Sequence, residues 1–263
     1  MRLFSWFKKE NVSNDKIVEV LESLKKSEIR IIYQEVKGEE LDVMAQINLR
    51  DVAEMDEEGL LPKTGVLSVF YDLMTMKWGY EPEDTGCARV YYFPEEVALQ
   101  EMGLLDELEE DAFVPECKMV FEKKISLPGY EEYICYHEND DFDWDAYDEA
   151  CVKLGYEDEL YGERMKLLGY PDVIQNPMQE ECEMLVRGYR TGSPEDYAKI
   201  PKDEVKDINE KSKDWILLFQ MGTIETEDSE IMFGDCGHIY FWIRKQDLKE
   251  RNFDNIWLIL QCG

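Results

Sequence analysis

The sequence predicts an α+β protein: two pseudo-repeated, mostly antiparallel β-units that share a core, with peripheral helices. Three observations carry that expectation. Segments dominated by β-branched and aromatic residues recur towards both ends of the chain, at residues 66–71, 89–93, 215–221, 238–243 and 256–261, and such residues suit the pleated surface of a strand. The two ends also resemble each other in order: Val43-Met44-Ala45-Gln46-Ile47 parallels Leu217-Leu218-Phe219-Gln220-Met221, and Gly65 opens one following strand candidate as Gly237 opens the other. Finally, 44% hydrophobic and 12% aromatic residues are enough to build a sizeable core and exclude a wholly disordered acidic chain.

Taken in order, Ile17, Val20, Leu21 and Leu24 form one apolar face and predict a helix over residues 15–27, with Ser13 or Asn14 as cap. Residues 28–36 and 41–48 read as strands separated by Gly38, followed by the candidates at 66–71 and 89–93, the latter closed by Pro94. Residues 95–110 predict a helix and residues 117–126 a strand ended by Leu127-Pro128-Gly129. A further helix is expected over 159–168, stopped by Gly169, because Pro171 lacks a donor and restricts the residue before it. Residues 191–214 are polar, with Gly192, Pro194 and Pro201, and read as a surface excursion. The last three strand candidates are almost continuously apolar, the pattern of strands covered on both faces. The chain is thus expected to be one domain over 1–263, with an internal duplication at about 41–93 and 215–261 and an N-terminal helical segment at 1–28.

Charge narrows the function. Against 60 Asp and Glu stand 29 Lys and Arg, a formal charge of −31. Phosphate backbones and anionic membrane surfaces are bound through Lys and Arg, so neither nucleic acid nor a membrane is expected as partner. A basic protein would be attracted, although solubility alone explains such a charge. Seven cysteines with wide spacing and no Cys-x-x-Cys read as reduced thiols, neither a disulfide framework nor a zinc set. The opening residues hold no continuous apolar stretch of a secretory signal, and a cytoplasmic monomer is the expectation.

The residues Ala45-Gln46-Ile47-Asn48, Leu61-Pro62-Lys63-Thr64-Gly65, 167–175 (Leu-Leu-Gly-Tyr-Pro-Asp-Val-Ile-Gln) with Met178, Leu217-Leu218-Phe219-Gln220, Gly234-Asp235-Cys236-Gly237, Tyr240-Phe241-Trp242-Ile243 and 257–263 resemble the YwqG-like family, a bacterial domain of unknown function. The resemblance runs from about residue 40 to the end and implies an α+β fold with an internal duplication. Some members lie near genes for secreted toxins, which implies an immunity or accessory role. It supplies no catalytic residues.

No catalytic, cofactor or metal site is expected from the residues themselves. The histidines are His137 and His238, with neither a Gly-x-Ser-x-Gly elbow nor an active-site cysteine motif beside them. The run from Asn139 to Asp145 opens like a calcium loop, but counting from Asp141 puts Ala146 where Gly is needed and Val152 where Glu is needed; an acid-capped helix N-terminus is the better reading. Phosphate-binding glycine loops are absent. Gly234-Asp235-Cys236-Gly237 reads as a tight turn, and Asp235 with Gln46 and Gln220 as a polar patch. Asp141, Asp143, Trp144 and Asp145 are the candidate interaction residues, since aromatics beside charge make binding hot spots. The leading expectation is a non-catalytic protein-interaction module; the alternative is a small-molecule-binding protein or hydrolase with a dispersed site. A flat acidic face favours the first, and a deep, polar-lined pocket holding His137 or His238 beside a carboxylate favours the second.

Overall fold

In the computed structural model, which describes residues 14–35, 44–94, 117–136, 144–156, 165–226 and 230–263, the strands collect into three antiparallel sheets. Along the chain these are α1 (Asn14–Leu24), β1 (Lys26–Glu35), β2 (Ala45–Asn48), α2 (Leu49–Val52), β3 (Val66–Tyr71), β4 (Ala88–Phe93), β5 (Cys117–Ser126), α3 (Tyr130–Tyr136) and α4 (Trp144–Lys153). There follow β6 (Met165–Leu167), α5 (Gln179–Val186), α6 (Pro194–Tyr197), α7 (Val205–Ser212), β7 (Trp215–Met221), β8 (Ile224–Glu225), β9 (Glu230–Ile231), β10 (His238–Arg244), α8 (Lys245–Glu250) and β11 (Trp257–Gln261). The six-stranded sheet runs β11-β10-β7-β6-β1-β5, the three-stranded one β2-β3-β4, and β8 pairs with β9.

The sheets face one another across one apolar core. Ile29 and Ile31 of β1, Ile47, Leu67 and Val69 of the small sheet, and Leu218, Phe241 and Leu260 of the large one all belong to it. The C-terminal strands are buried at nearly every position because their other face is also covered. There Met178, Cys182 and Leu185 pack on Trp215, Leu217, Tyr240, Trp242 and Ile259. A third cluster joins α1 and α4 through Ile17, Leu21, Tyr133, Tyr147 and Ala150, which is the apolar stripe read for the first helix.

Both strand triplets named for the duplication are meanders in chain order. Gln46 lies opposite Ser68 and Ser68 opposite Tyr91; Gln220 lies opposite Tyr240 and Tyr240 opposite Ile259. The two are stitched together at the edge of β11. Leu260 N–H donates to the Trp78 carbonyl and the Trp257 indole to that of Gly79, both at 2.9 Å. A Cβ on Gly79, whose φ is +81°, would stand 1.8 Å from the Leu258 carbonyl oxygen, so only glycine fits there.

Three expectations need amendment. The helix expected over 159–168 does not extend to its end, because 165–167 is β6: Met165 and Leu167 enter the core while Lys166 points to the opposite face, the period of a strand. The first helix stops at Leu24, and Lys26 to Glu28 already belong to β1. The polar stretch 191–214 carries two short helices, α6 and α7, the second burying Ile208. The helix expected at 95–110 lies outside the described residues.

Candidate functional site

The resemblance motif at 167–175 forms a strap across the outer face of the β7-β10-β11 meander. Leu168 and Gly169 take φ of +60° and +76°, and a Cβ on Gly169 would lie 2.6 Å from Ser126 Oγ. The turn releases the chain from β6 without regular structure, so its backbone groups need partners from elsewhere. The sheet supplies them through side chains. Gln220 accepts from Asp172 N–H at 2.8 Å and donates to the Asp172 carboxylate at 2.7 Å. Tyr240 donates its hydroxyl to the Asp172 carbonyl at 2.6 Å. Gln261 accepts from Ile174 and Gln175 N–H at 3.2 and 3.0 Å and donates to the Asn176 carbonyl at 2.8 Å.

Beneath the strap lies a buried ionic group. Lys166 Nζ sits 3.0 Å from Glu28 and 2.9 Å from Asp172, and Arg30 holds the other Glu28 oxygen through Nε and Nη2 at 2.9 and 2.6 Å. Burial alone would strip the lysine of its proton, but the Asp172 and Glu28 carboxylates outweigh it and the Lys166 pKa rises.

Beside this group a cavity of about 200 Å³ opens between the strap, α3 and the sheet. Trp215, Leu217, Trp242, Tyr133, Tyr170 and Pro128 give it an apolar, largely aromatic wall. Glu132 reaches into the same space from α3 and is 1% exposed. Gln179 donates to its Oε1 at 2.5 Å, whereas its Oε2 has no hydrogen-bond partner among the described residues. Burial lifts the Glu132 carboxyl to about 7, against the opposing pull of Gln179, Lys26 and Lys166. Lys26, its ammonium 3.9 Å above the Tyr170 ring, has its pKa lowered by burial. Lys213 and Lys245 complete the lining. On the far side of Trp215, Glu183 accepts from the indole N–H at 3.0 Å and from Arg244 at 2.7 Å, which fixes the ring.

A second cavity, of about 110 Å³, adjoins the strap on its other side and contains His238 with Asp172, Tyr130, Trp144, Tyr147 and Cys151. His238 and the Asp172 carboxylate thus line one cavity. His238 opens β10 opposite Gln261, as Val66 opens β3 opposite Phe93. Trp144, 46% exposed, is the first residue of α4 and packs its edge against Tyr130 at 4.8 Å; Asp145 in the same turn is exposed. Asp141, Asp143 and His137 lie outside the described residues. The residues of the expected polar patch occupy three settings: Gln46 is exposed on the small sheet, Gln220 is buried under the strap, and Asp235 is exposed in the turn before β10. Among the described residues no group of three or more His, Cys, Asp or Glu is placed to hold a metal ion, six cysteines are free thiols, and no helix is long and apolar enough to cross a membrane.

Glu132, Lys26 and Gln179 escape sequence reasoning. Glu132 is one acid in an acidic run, Lys26 one of a Lys-Lys pair, and Gln179 is 47 residues from the carboxylate it meets. The one usable signal is Tyr133, whose burial beside Glu132 marks the inward face of α3.

A family model described as "Domain of unknown function (DUF1963)" matches residues 24–262, and the chain belongs to that family. This agrees with the resemblance drawn from the motif residues, and the description carries no activity. No curated protein matches the chain.

Proposed function

We propose that this member of the DUF1963 family binds a small organic molecule in the cavity between the strap, α3 and the outer face of the C-terminal meander. One observation carries the reading: Glu132, whose second carboxylate oxygen has no hydrogen-bond partner among the described residues, lines an aromatic-walled cavity. Buried polar atoms are almost always hydrogen-bonded, and apolar pockets with a few convergent polar groups and a shifted pKa are the usual form of ligand sites. An apolar cavity of ~150 Å³ holds a benzene, so this one suits a single substituted ring. The test is to titrate the ¹⁵N-labelled protein with single-ring compounds and follow the indole N–H signals of Trp215 and Trp242. Both signals should move with at least one compound at millimolar concentration. If neither moves across neutral, anionic and cationic rings, the proposal fails.

Association with a basic protein partner through residues 131–149 is a second reading. It draws on the half-exposed Trp144 beside exposed Asp145, Asp148 and Glu149 on α4. Steered association of that kind weakens with salt. Replacing Asp145 and Asp148 with Asn should then reduce both affinity and salt slope for a basic partner, and unchanged values would remove the segment from consideration. An internal duplication remains our account of the two meanders, supported by their common strand order and the matching partners of Gln46 and Gln220.

A further inference from the structure

We propose that the cavity selects an aromatic carboxylate, its ring among Trp215, Trp242, Tyr133 and Tyr170 and its charge against Lys26 and Lys245, with Glu132 as a hydrogen-bond donor. This deepens the binding reading above and rests on it.

The charge pattern of the lining is the reason. In a chain with 60 acids and 29 bases, a lysine readily finds a carboxylate. Lys213 has done so, 2.9 Å from Glu210. Among the described residues Lys26 and Lys245 make no ion pair, yet both line the same aromatic-walled cavity. Lys26 lies 3.9 Å over the Tyr170 ring, with the Glu132 and Glu58 carboxylates acting on it without an ion pair among the described residues. Lys26 is desolvated by burial, which is costly for a cation, and an incoming anion offsets that cost; Lys245, exposed at the cavity mouth, adds a solvated positive charge.

Glu132 appears at first to contradict an anionic ligand. An ionised carboxylate at the cavity wall would cancel the field of the lysines. Its burial against α5, however, keeps the carboxyl protonated in a substantial fraction of molecules near neutral pH, and a neutral carboxyl donates a hydrogen bond instead of repelling. The groups that act on it are Gln179 of α5, Lys26 of β1 and Lys166 of β6, with Lys213, Lys245 and the Tyr133 and Tyr170 hydroxyls around the same space. A ligand amine is disfavoured by the two lysines. A phosphate dianion is disfavoured because no arginine among the described residues lines the cavity and its second charge would meet the Glu132 carboxyl.

The test is isothermal titration of the full chain with benzoate, benzamide and benzylamine at pH 6 and pH 8. Benzoate should bind at least about tenfold more tightly than benzamide at pH 6, the worth of one charge-assisted contact, and benzylamine should show no heat of binding. Benzoate affinity should fall between pH 6 and pH 8, as Glu132 loses the proton it donates. Lys245→Gln, at an exposed position, should weaken benzoate several-fold and leave benzamide unchanged. Glu132→Gln keeps a donor and the acceptor for Gln179, so it should retain benzoate binding and lose the pH dependence. Benzamide or benzylamine binding as tightly as benzoate would overturn the carboxylate assignment while the cavity reading stands. Failure of all three, with the Trp215 and Trp242 signals unmoved, would overturn both. A folded Glu132→Gln that no longer binds benzoate at pH 6 would overturn the donor role of Glu132.

Discussion

The two meanders share a strand order, with a register shift between Phe241 and Trp242 in the second, and are clothed differently. In β2-β3-β4 the outer face is largely open: Gln46, Asn48 and Arg89 are exposed, Tyr91 is 46% exposed, and Val66, Phe70 and Phe93 are half-buried. In β7-β10-β11 the corresponding face carries Gln220, His238, Tyr240, Trp242 and Ile259, all buried under the strap and α5. Strand order therefore does not decide which face is closed over; what packs on it does. Gln46 lies opposite the third residue of β3 and Gln220 opposite the third residue of β10, yet among the described residues it is Gln220 that has an irregular backbone above it to satisfy. The cavity exists where a cover of loops and short helices cannot close fully over large aromatic rings.

Four experiments probe that contrast. The largest effect is expected from Lys166→Met, which removes the cation that Glu28 and Asp172 share and leaves them Arg30 and Gln220 as partners. Breaking a buried pair by removing one partner costs about 3–5 kcal/mol, read as a drop in urea unfolding free energy. Lys63→Met, on the exposed approach to β3, should stay within about 0.5 kcal/mol.

Next comes the pH dependence of Glu132. Its carboxyl titrates at about 7 in the folded protein, raised from 4.5 by burial. The folded state therefore holds a proton that the unfolded state has released. The associated stability is complete below about pH 4.5 and is lost as pH rises through about 7. At ~1.4 kcal/mol per unit, Glu132→Gln should gain on the order of 3 kcal/mol over the parent between pH 5 and pH 8. A constant difference across that range would show that the carboxyl titrates normally.

Gln220→Leu should cost about 2 kcal/mol, because Asp172 N–H loses its acceptor under the strap. Gln46→Leu should be neutral within about 0.5 kcal/mol. Equal costs would erase the contrast between the meanders. The smallest effect belongs to Tyr91→Ser, which removes edge contacts with Phe70 and Phe93 at 5.6 and 6.3 Å. A loss above about 1 kcal/mol in thermal unfolding would mean that this open face is more tightly packed than its exposure indicates.

How much of this was legible depended on whether one element could announce itself. The C-terminal strands did so through unbroken apolar runs, and the amphipathic stripe of α1 through its spacing. The helix α5 did not, because Glu181 and Glu183 occupy buried positions and break the apolar period. They are tolerated there because Tyr197, Trp215 and Arg244 bind them from distant parts of the chain. The strand β6 was hidden in the same way, since Lys166 at its centre is paid no penalty only where Glu28 and Asp172 meet it. Gln220 was readable as a noteworthy amide, but its partner lies 48 residues away. The cavity was not readable at all: its wall comes from α3, the strap, β7 and β10, which only the fold assembles.

We propose that the covered meander, and not the open one, is where this protein meets a ligand. A crystal structure of the protein soaked with benzoate tests it most directly. A ring is expected beside Trp215 and Trp242, with the carboxylate within hydrogen-bond distance of Glu132 and facing Lys26. An empty cavity, with benzoate lodged instead on Phe70, Tyr91 and Phe93 of the open sheet, would contradict it.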